Sequence, residues 1–116
     1  MPKFIWKEAS AYKVEIFIGG DHGTAINTCV DYATRVGLCV TVEPTIYCYR
    51  GGYCDGVRVG LINYARFPKS QEQIWNTAVE LAEHLQIALG QGSFTVQDHK
   101  QSLFYSEREE DGCSPD

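Results

Sequence analysis

The chain has no apolar run approaching the roughly 20 residues a membrane-spanning helix needs, and its start, M-P-K-F-I-W-K-E, has no signal-peptide core. A soluble, intracellular protein without a membrane partner is expected. It also lacks a C-x-x-C pair: its five cysteines, Cys29, Cys39, Cys48, Cys54 and Cys113, are odd in number and scattered. That pattern indicates neither a disulfide framework nor a zinc ribbon, so reduced thiols are expected. Cys48 and Cys54 bracket a turn and can meet across a hairpin or join a histidine at a metal. Two small apolar residues in a sheet are the plainer reading.

Catalytic signatures are missing too. His22, His84 and His99 share no metal-ligand spacing, and there is no H-E-x-x-H motif. No G-x-S-x-G elbow is present, and Cys29 falls on an apolar helical stripe with no histidine beside it. Gly19-Gly20-Asp21-His22-Gly23 enters a helix and can offer N–H groups to a phosphate, yet it lacks the Walker lysine and the dinucleotide G-x-G-x-x-G. The plainer reading is a glycine-rich turn with an Asp cap. Together these absences predict a protein that is not an enzyme and has no cofactor or metal. Positive charge is also scarce. The net charge is −5, which excludes the broad basic face that duplex DNA or RNA requires.

What remains is a chain of 116 residues, 44% hydrophobic, enough for one core without staples. Five acids against one Arg in the last ten residues set residues 107–116 apart as an acidic, disordered tail behind a single α+β ligand-binding domain over residues 1–106. Within the body, Arg50, Arg58, Arg66 and Lys69 face Asp55 alone between positions 50 and 69. A few focused cations suit a small anion such as a nucleotide.

Tyr12, Val14, Ile16 and Ile18 alternate with Lys13, Glu15 and Phe17, which predicts a strand ended by Gly19-Gly20. Asp21 then caps a helix whose stripe is Ile26, Cys29, Val30 and Ala33, with Gly37 as its stop. Residues 38–50 and 57–64 read as a hairpin around Gly51-Gly52, with Pro44 forcing a bulge or an edge. Ser70 and Gln73 form a capping box for a helix carrying Ile74, Ala78, Leu81, Leu85 and Ala88 on one face up to Gly90. One or two short strands follow over residues 93–97 and 101–106. The order is β-α-β-β-α-β, a ferredoxin-like pattern with two helices on one face of a mostly antiparallel sheet. The other face would carry Phe17, Tyr47, Tyr49, Ile62 and Tyr64, an aromatic surface suited to a ligand or a second subunit.

The stretch V-R-V-G-L-I-N-Y-A-R-F-P, residues 57–68, runs from that sheet into a cluster of Asn63, Tyr64, Arg66 and Phe67, with Trp75 and Asn76 in the helix beyond. Arg and Asn can bind phosphate and ribose oxygens, and Tyr, Phe or Trp can stack on a purine. Equally, Tyr64 and Phe67 can be core, Arg66 solvated and Pro68 a helix start. Residue types alone do not choose.

The runs A-Y-K-V-E-I-F-I-G-G-D, G-L-C-V-T-V-E-P-T, Y-R-G-G, V-G-L-I-N-Y-A-R-F-P and L-G-Q-G-S-F-T-V resemble the phage Thoeris anti-defence sponge proteins over residues 12–106. The resemblance implies a protein of the host bacterial cytoplasm that sequesters cyclic ADP-ribose isomers without cleaving them. It implies a homo-oligomer, a dimer or higher, with pockets near subunit interfaces. Some members also take cyclic oligonucleotides at a separate site. On that reading Arg50 and Arg66 neutralise phosphates and Phe67 or Trp75 stacks on adenine. Tyr64 belongs to the same cluster, and Asn63 and Asn76 bond ribose hydroxyls. Ser106 and Arg108 close the pocket. Two other classes share the fold: a regulatory module for another small anionic effector, and a structural protein-interaction domain.

Overall fold

Alternation of apolar and polar residues makes Lys13–Gly19 a strand (β1) that buries Val14, Ile16 and Ile18 and turns Lys13, Glu15 and Phe17 the other way. In the computed structural model, which describes residues 3–107, Gly20 ends this strand at φ 129°, a conformation that favours glycine, with the Leu89 side chain packed where a Cβ would sit. Helix α1 (His22–Val36) starts on Asp21, which accepts from the Thr24 N–H, and ends on Gly37 in the left-handed conformation. Strands β2 (Thr41–Tyr49) and β3 (Gly52–Ile62) form the expected hairpin. Helix α2 (Gln71–Leu89) has the predicted Ser70–Gln73 capping box and stops at Gly90. Strands β4 (Ser93–Gln97) and β5 (Ser102–Ser106) close the chain.

The sheet order is β2-β3-β1-β4-β5, antiparallel throughout. Residues 93–97 and 101–106, read as one or two short strands, form two, so the chain runs one strand beyond the expected β-α-β-β-α-β order. The Asp98 carboxylate accepts the N–H groups of Lys100 and Gln101, closing a tight turn that returns the chain along β4. The architecture is therefore an α+β layer pair, two helices against a five-stranded antiparallel sheet. Beyond Glu107 the acidic tail lies outside the described residues.

The core sits between the helices and one sheet face. It comprises Val14, Ile16, Ile18, Val57, Val59, Leu61, Phe94 and Val96 from the sheet, with Ile74, Ala78, Leu81, Ala82 and Leu85 from α2. Helix α1 contributes Ala25, Cys29 and Tyr32, so of the expected stripe Ile26, Cys29, Val30 and Ala33, Cys29 alone is fully buried. Tyr32 tilts its ring against His84 and donates its hydroxyl to Glu80 at 2.7 Å, so α1 meets α2 through a polar-tipped aromatic. Ile26 and Val30 are left 38% and 59% exposed. By register, Phe17, Tyr47, Tyr49 and Ile62 share the helix-free face. Tyr64 lies past the end of β3 and belongs to the loop that follows.

Candidate functional site

The chain leaves β3 at Ile62 and needs eight residues to enter α2, and Asn63 fixes how it does so. The Asn63 backbone N–H donates to the Tyr12 carbonyl, and its Nδ2 donates to the Ser10 carbonyl at 2.9 Å. Its Oδ1 accepts from the Lys69 N–H at 2.9 Å. One side chain thus ties the segment before β1 to both ends of the loop. Within the loop, the Phe67 N–H donates to the Tyr64 carbonyl in a turn that brings the two rings to 5.6 Å. The Tyr64 hydroxyl donates to the Cys39 Sγ at 3.4 Å, linking the loop to the segment between α1 and β2. That hydrogen bond, with partial burial, raises the phenol above its ordinary value.

A cavity of about 330 Å³ opens between this loop, the first turns of α2 and the end of α1. Its wall is largely apolar, from Val36, Leu38, Leu61, Ile62 and Ile74, closed by the Tyr64 and Phe67 rings. Asn63, Lys69, Gln73, Asn76 and Thr77 supply the polar groups. An apolar chamber with a few convergent polar groups is the common form of a small-molecule site, at the lower end of the usual volumes. Lys69 pairs with no carboxylate among the described residues. The Asn76 side chain is exposed, enters no hydrogen bond among the described residues, and is open to a ligand.

Of the residues singled out in sequence, Asn63, Tyr64, Phe67 and Asn76 line this one cavity. The Asn63 amide is committed on both sides to the backbone, so it positions the loop and is not open to a ribose hydroxyl. Arg66 is exposed in the turn beside the cavity. Trp75 packs half-buried against the core and does not line the cavity. Arg50 stands in the β2–β3 turn, at the opposite end of β3, about 33 Å from Ile62 at the usual strand rise. Ser106 pairs with Ser93 at the other border of the sheet, also away from the cavity. Arg108 lies outside the described residues.

The local excess of cations is therefore dispersed. Arg58 is spent on the free sheet face, where it meets Glu43 at 3.1 Å and Glu15 at 3.3 Å. Lys69 and Gln73 were not among the predicted site residues: Lys69 stood out only as one of the cations between positions 50 and 69, and Gln73 only as half of the capping box. Cys39 and Leu38, from a segment 25 residues earlier, carried no sequence signal. Cys48 and Cys54 do not face each other either: Cys48 sits opposite Tyr53 and Cys54 opposite Tyr47, which puts them on opposite faces of the hairpin. Cys29, Cys39 and Cys48 are free thiols, whereas Cys54 is disulfide-bonded, which corrects the expectation of a reduced thiol there.

Two further clefts flank the sheet ends. One of about 590 Å³ lies on the other side of Ile62 and Asn63, against Tyr12, Glu15, Asp98 and His99. The other, about 480 Å³, joins Asp21 and His22 to Ile46 and Asp55. The Asp21 carboxylate there already accepts the backbone and hydroxyl of Thr24, which holds its own ionisation below the usual range. The glycine-rich turn thus carries a self-capped helix start with a negative charge, not a phosphate cradle. Among the described residues no three His, Cys, Asp or Glu side chains gather as a metal site, and no helix is long and apolar enough to cross a membrane.

No family model matches the chain, and no curated protein matches it. Among solved structures it is similar to a phage SAM lyase in its apo state, at a TM-score of 0.67 and 15% identity over 93% of this chain and 100% of that one. A phage SAM lyase in complex with S-methyl-5′-thioadenosine gives 0.59, again at 15% identity, over 90% and 96%. The shared fold is that of an enzyme. This corrects the expectation that the chain is not one: missing catalytic motifs carry no weight in a fold that a lyase uses. Neither structure is a Thoeris sponge, and at this identity the likeness concerns the fold alone.

Proposed function

We propose that the chain is a phage anti-defence protein that removes an adenosine-bearing small molecule from the host pool through the cavity around Tyr64, Phe67, Lys69 and Asn76. The observation that carries this reading is the gathering of Asn63, Tyr64, Phe67 and Asn76 on one apolar cavity, with Lys69, unpaired among the described residues, beside them. The Phe67 ring, 42% exposed, is free to stack on a purine, and Asn76 and Thr77 can meet ribose hydroxyls. Lys69, with Arg66 in the adjoining turn, supplies two cations for two phosphates. That pair, with the sequence resemblance, favours a cyclic ADP-ribose isomer as ligand.

A second reading takes S-adenosylmethionine as the ligand, favoured by the fold shared with phage SAM lyase. Its adenosine half makes the same demands on the cavity. Its cleavage to S-methyl-5′-thioadenosine breaks the bond between sulfur and the amino-acid side chain: sulfur keeps the bonding pair and leaves as a neutral thioether, while the substrate's own carboxylate oxygen attacks the carbon it leaves and closes a lactone, so that no protein nucleophile is consumed. An apolar wall disfavours the sulfonium charge and favours its loss.

Calorimetry with each ligand, followed by heat release and chromatography of the bound material, separates the two. Nanomolar binding, about −12 kcal/mol, of a cyclic ADP-ribose isomer supports the first reading, and appearance of S-methyl-5′-thioadenosine from S-adenosylmethionine supports the second. Lys69→Ala and Phe67→Ala are each expected to weaken the productive ligand about 10-fold or more while leaving the far-UV spectrum unchanged. Unchanged affinity in both variants removes this cavity from consideration.

A further inference from the structure

Gln73 lines the candidate cavity while also belonging to the cap of α2, and the two roles use different ends of one amide. Its Oε1 accepts from the Ser70 N–H at 2.9 Å, and its backbone N–H donates to the Ser70 Oγ at 3.1 Å. Side chain and backbone are thus both held. Only the amide oxygen can accept from an N–H, so which end of the group meets Ser70 is fixed by chemistry. The Nε2 end carries two N–H groups, is exposed, and enters no hydrogen bond among the described residues.

The other polar groups of the wall are either spent or unconstrained. The Asn63 amide is bonded to backbone at both ends, and the Tyr64 hydroxyl gives its proton to Cys39. The Thr77 hydroxyl gives its own to the Gln73 carbonyl, one turn back along the same helix face. Asn76 is open, but no bond holds its amide, and the Lys69 ammonium swings on a flexible four-carbon stem. Among these groups the Gln73 Nε2 is a donor both unspent and held through its own amide. Meeting a ligand costs such a donor little ordering, and a fixed donor rejects a wrong partner more sharply than a mobile one.

We propose that Gln73 is the specificity-determining residue of this site, its Nε2 donating to a ring nitrogen on the edge of the ligand's purine while Phe67 covers the face. The inference rests on the adenosine-binding reading of the cavity, and it holds for either ligand considered there, because both carry adenosine. The N1, N3 and N7 atoms of adenine are all acceptors. With its oxygen committed to the cap, the Gln73 amide cannot flip to accept in place of donating. A ligand that presents a C–H or N–H at that position leaves Nε2 unpaired once water is excluded, which is the costly case.

The probe is adenosine, compared by calorimetry with its 1-deaza, 3-deaza and 7-deaza analogues, each of which replaces one ring nitrogen by C–H. The full-chain wild type is expected to lose about 10-fold in affinity toward one of the three and little toward the others. Gln73→Glu is the matching variant. A glutamate completes the same capping box with Ser70, so the fold and the urea midpoint are retained, yet the donor has become an acceptor. This variant is expected to bind adenosine about 10-fold more weakly and to be indifferent to the replacement that weakens the wild type. Adenosine carries no phosphate, so the new carboxylate has no anion on the probe to repel. The proposal is overturned if all three analogues bind as adenosine does, if Gln73→Glu binds adenosine as the wild type does, or if it keeps the wild type's sensitivity. Any of these alongside a Phe67→Ala protein weakened toward adenosine leaves the cavity standing and removes Gln73 alone. An unaffected Phe67→Ala, or a wild type that does not bind adenosine, removes the cavity and this proposal with it.

Discussion

Tyr12 buries its ring at the end of the core yet keeps its hydroxyl on Asp98 at 2.7 Å, joining the approach to β1 to the β4–β5 turn. Burial and the Asp98 carboxylate both push its phenol upward, so it stays a donor at any working pH. Tyr12→Phe removes the donor without opening a cavity and should cost about 1–2 kcal/mol, read as a lower urea midpoint with unchanged slope. For Asp98, burial opposes ionisation, but the Tyr12 hydroxyl and the N–H groups of Lys100 and Gln101 outweigh it and lower its pKa. A carboxyl with a depressed folded pKa stabilises the fold above its unfolded value, about pH 4, and this contribution is lost as the pH falls through the folded value. Asp98→Asn should therefore flatten the acid side of the stability profile, and an unchanged profile would show that Asp98 is not the group titrating there.

Gly56 is a second residue with no freedom. A Cβ there would lie 2.4 Å from the Tyr47 ring and 2.6 Å from the Ile18 carbonyl oxygen. The same tyrosine donates its hydroxyl to the Val57 carbonyl at 2.7 Å, and burial pushes its phenol up to about 12. Gly56→Ala should cost about 2–4 kcal/mol, because a backbone oxygen cannot rotate aside. Gly52→Ala, whose nearest neighbour is 3.8 Å away, should be close to neutral. Thermal unfolding of the two variants side by side checks the difference.

At the scale of elements, Ser70→Ala breaks the capping box of α2 and should cost about 1 kcal/mol of unfolding free energy, measured by urea titration. This cap also explains why so much was legible. Asp21, Gly37, Ser70, Gln73 and Gly90 mark both helices through local chemistry that the folded chain reproduces. Strand β1 was equally plain, since Tyr12, Val14, Ile16 and Ile18 alternate and all are buried. The stripe of α1 was right at Cys29 and misled at Ile26 and Val30, because period alone cannot tell which of two adjacent faces meets the core, and Tyr32 has the greater area to bury. The site was half legible. Tyr64 and Phe67 line the cavity from a loop whose composition was unusual, whereas Arg50 shared the charge excess but was carried to the far end by a long hairpin. Cys39 reaches the cavity only through tertiary pairing with Tyr64, which no local pattern announces.

For the molecule as a whole, a ligand that binds only the folded state adds stability by mass action, about 2.7 kcal/mol at 100 times its dissociation constant. The loop around Asn63 joins the approach to β1, the end of β3 and the start of α2, so that gain should register across the whole unfolding transition. A single cooperative upward shift is expected in differential scanning calorimetry, where a split transition would place the ligand on a locally unfolding part. The same sheet has two borders. Strand β2 carries Pro44 in its middle, and β5 is only five residues long. A proline interrupts the row of donors a foreign strand would need, and so short a border gives little purchase. Both borders are thereby guarded against strand addition, so growth of one folded molecule onto another through the sheet is disfavoured even at high concentration.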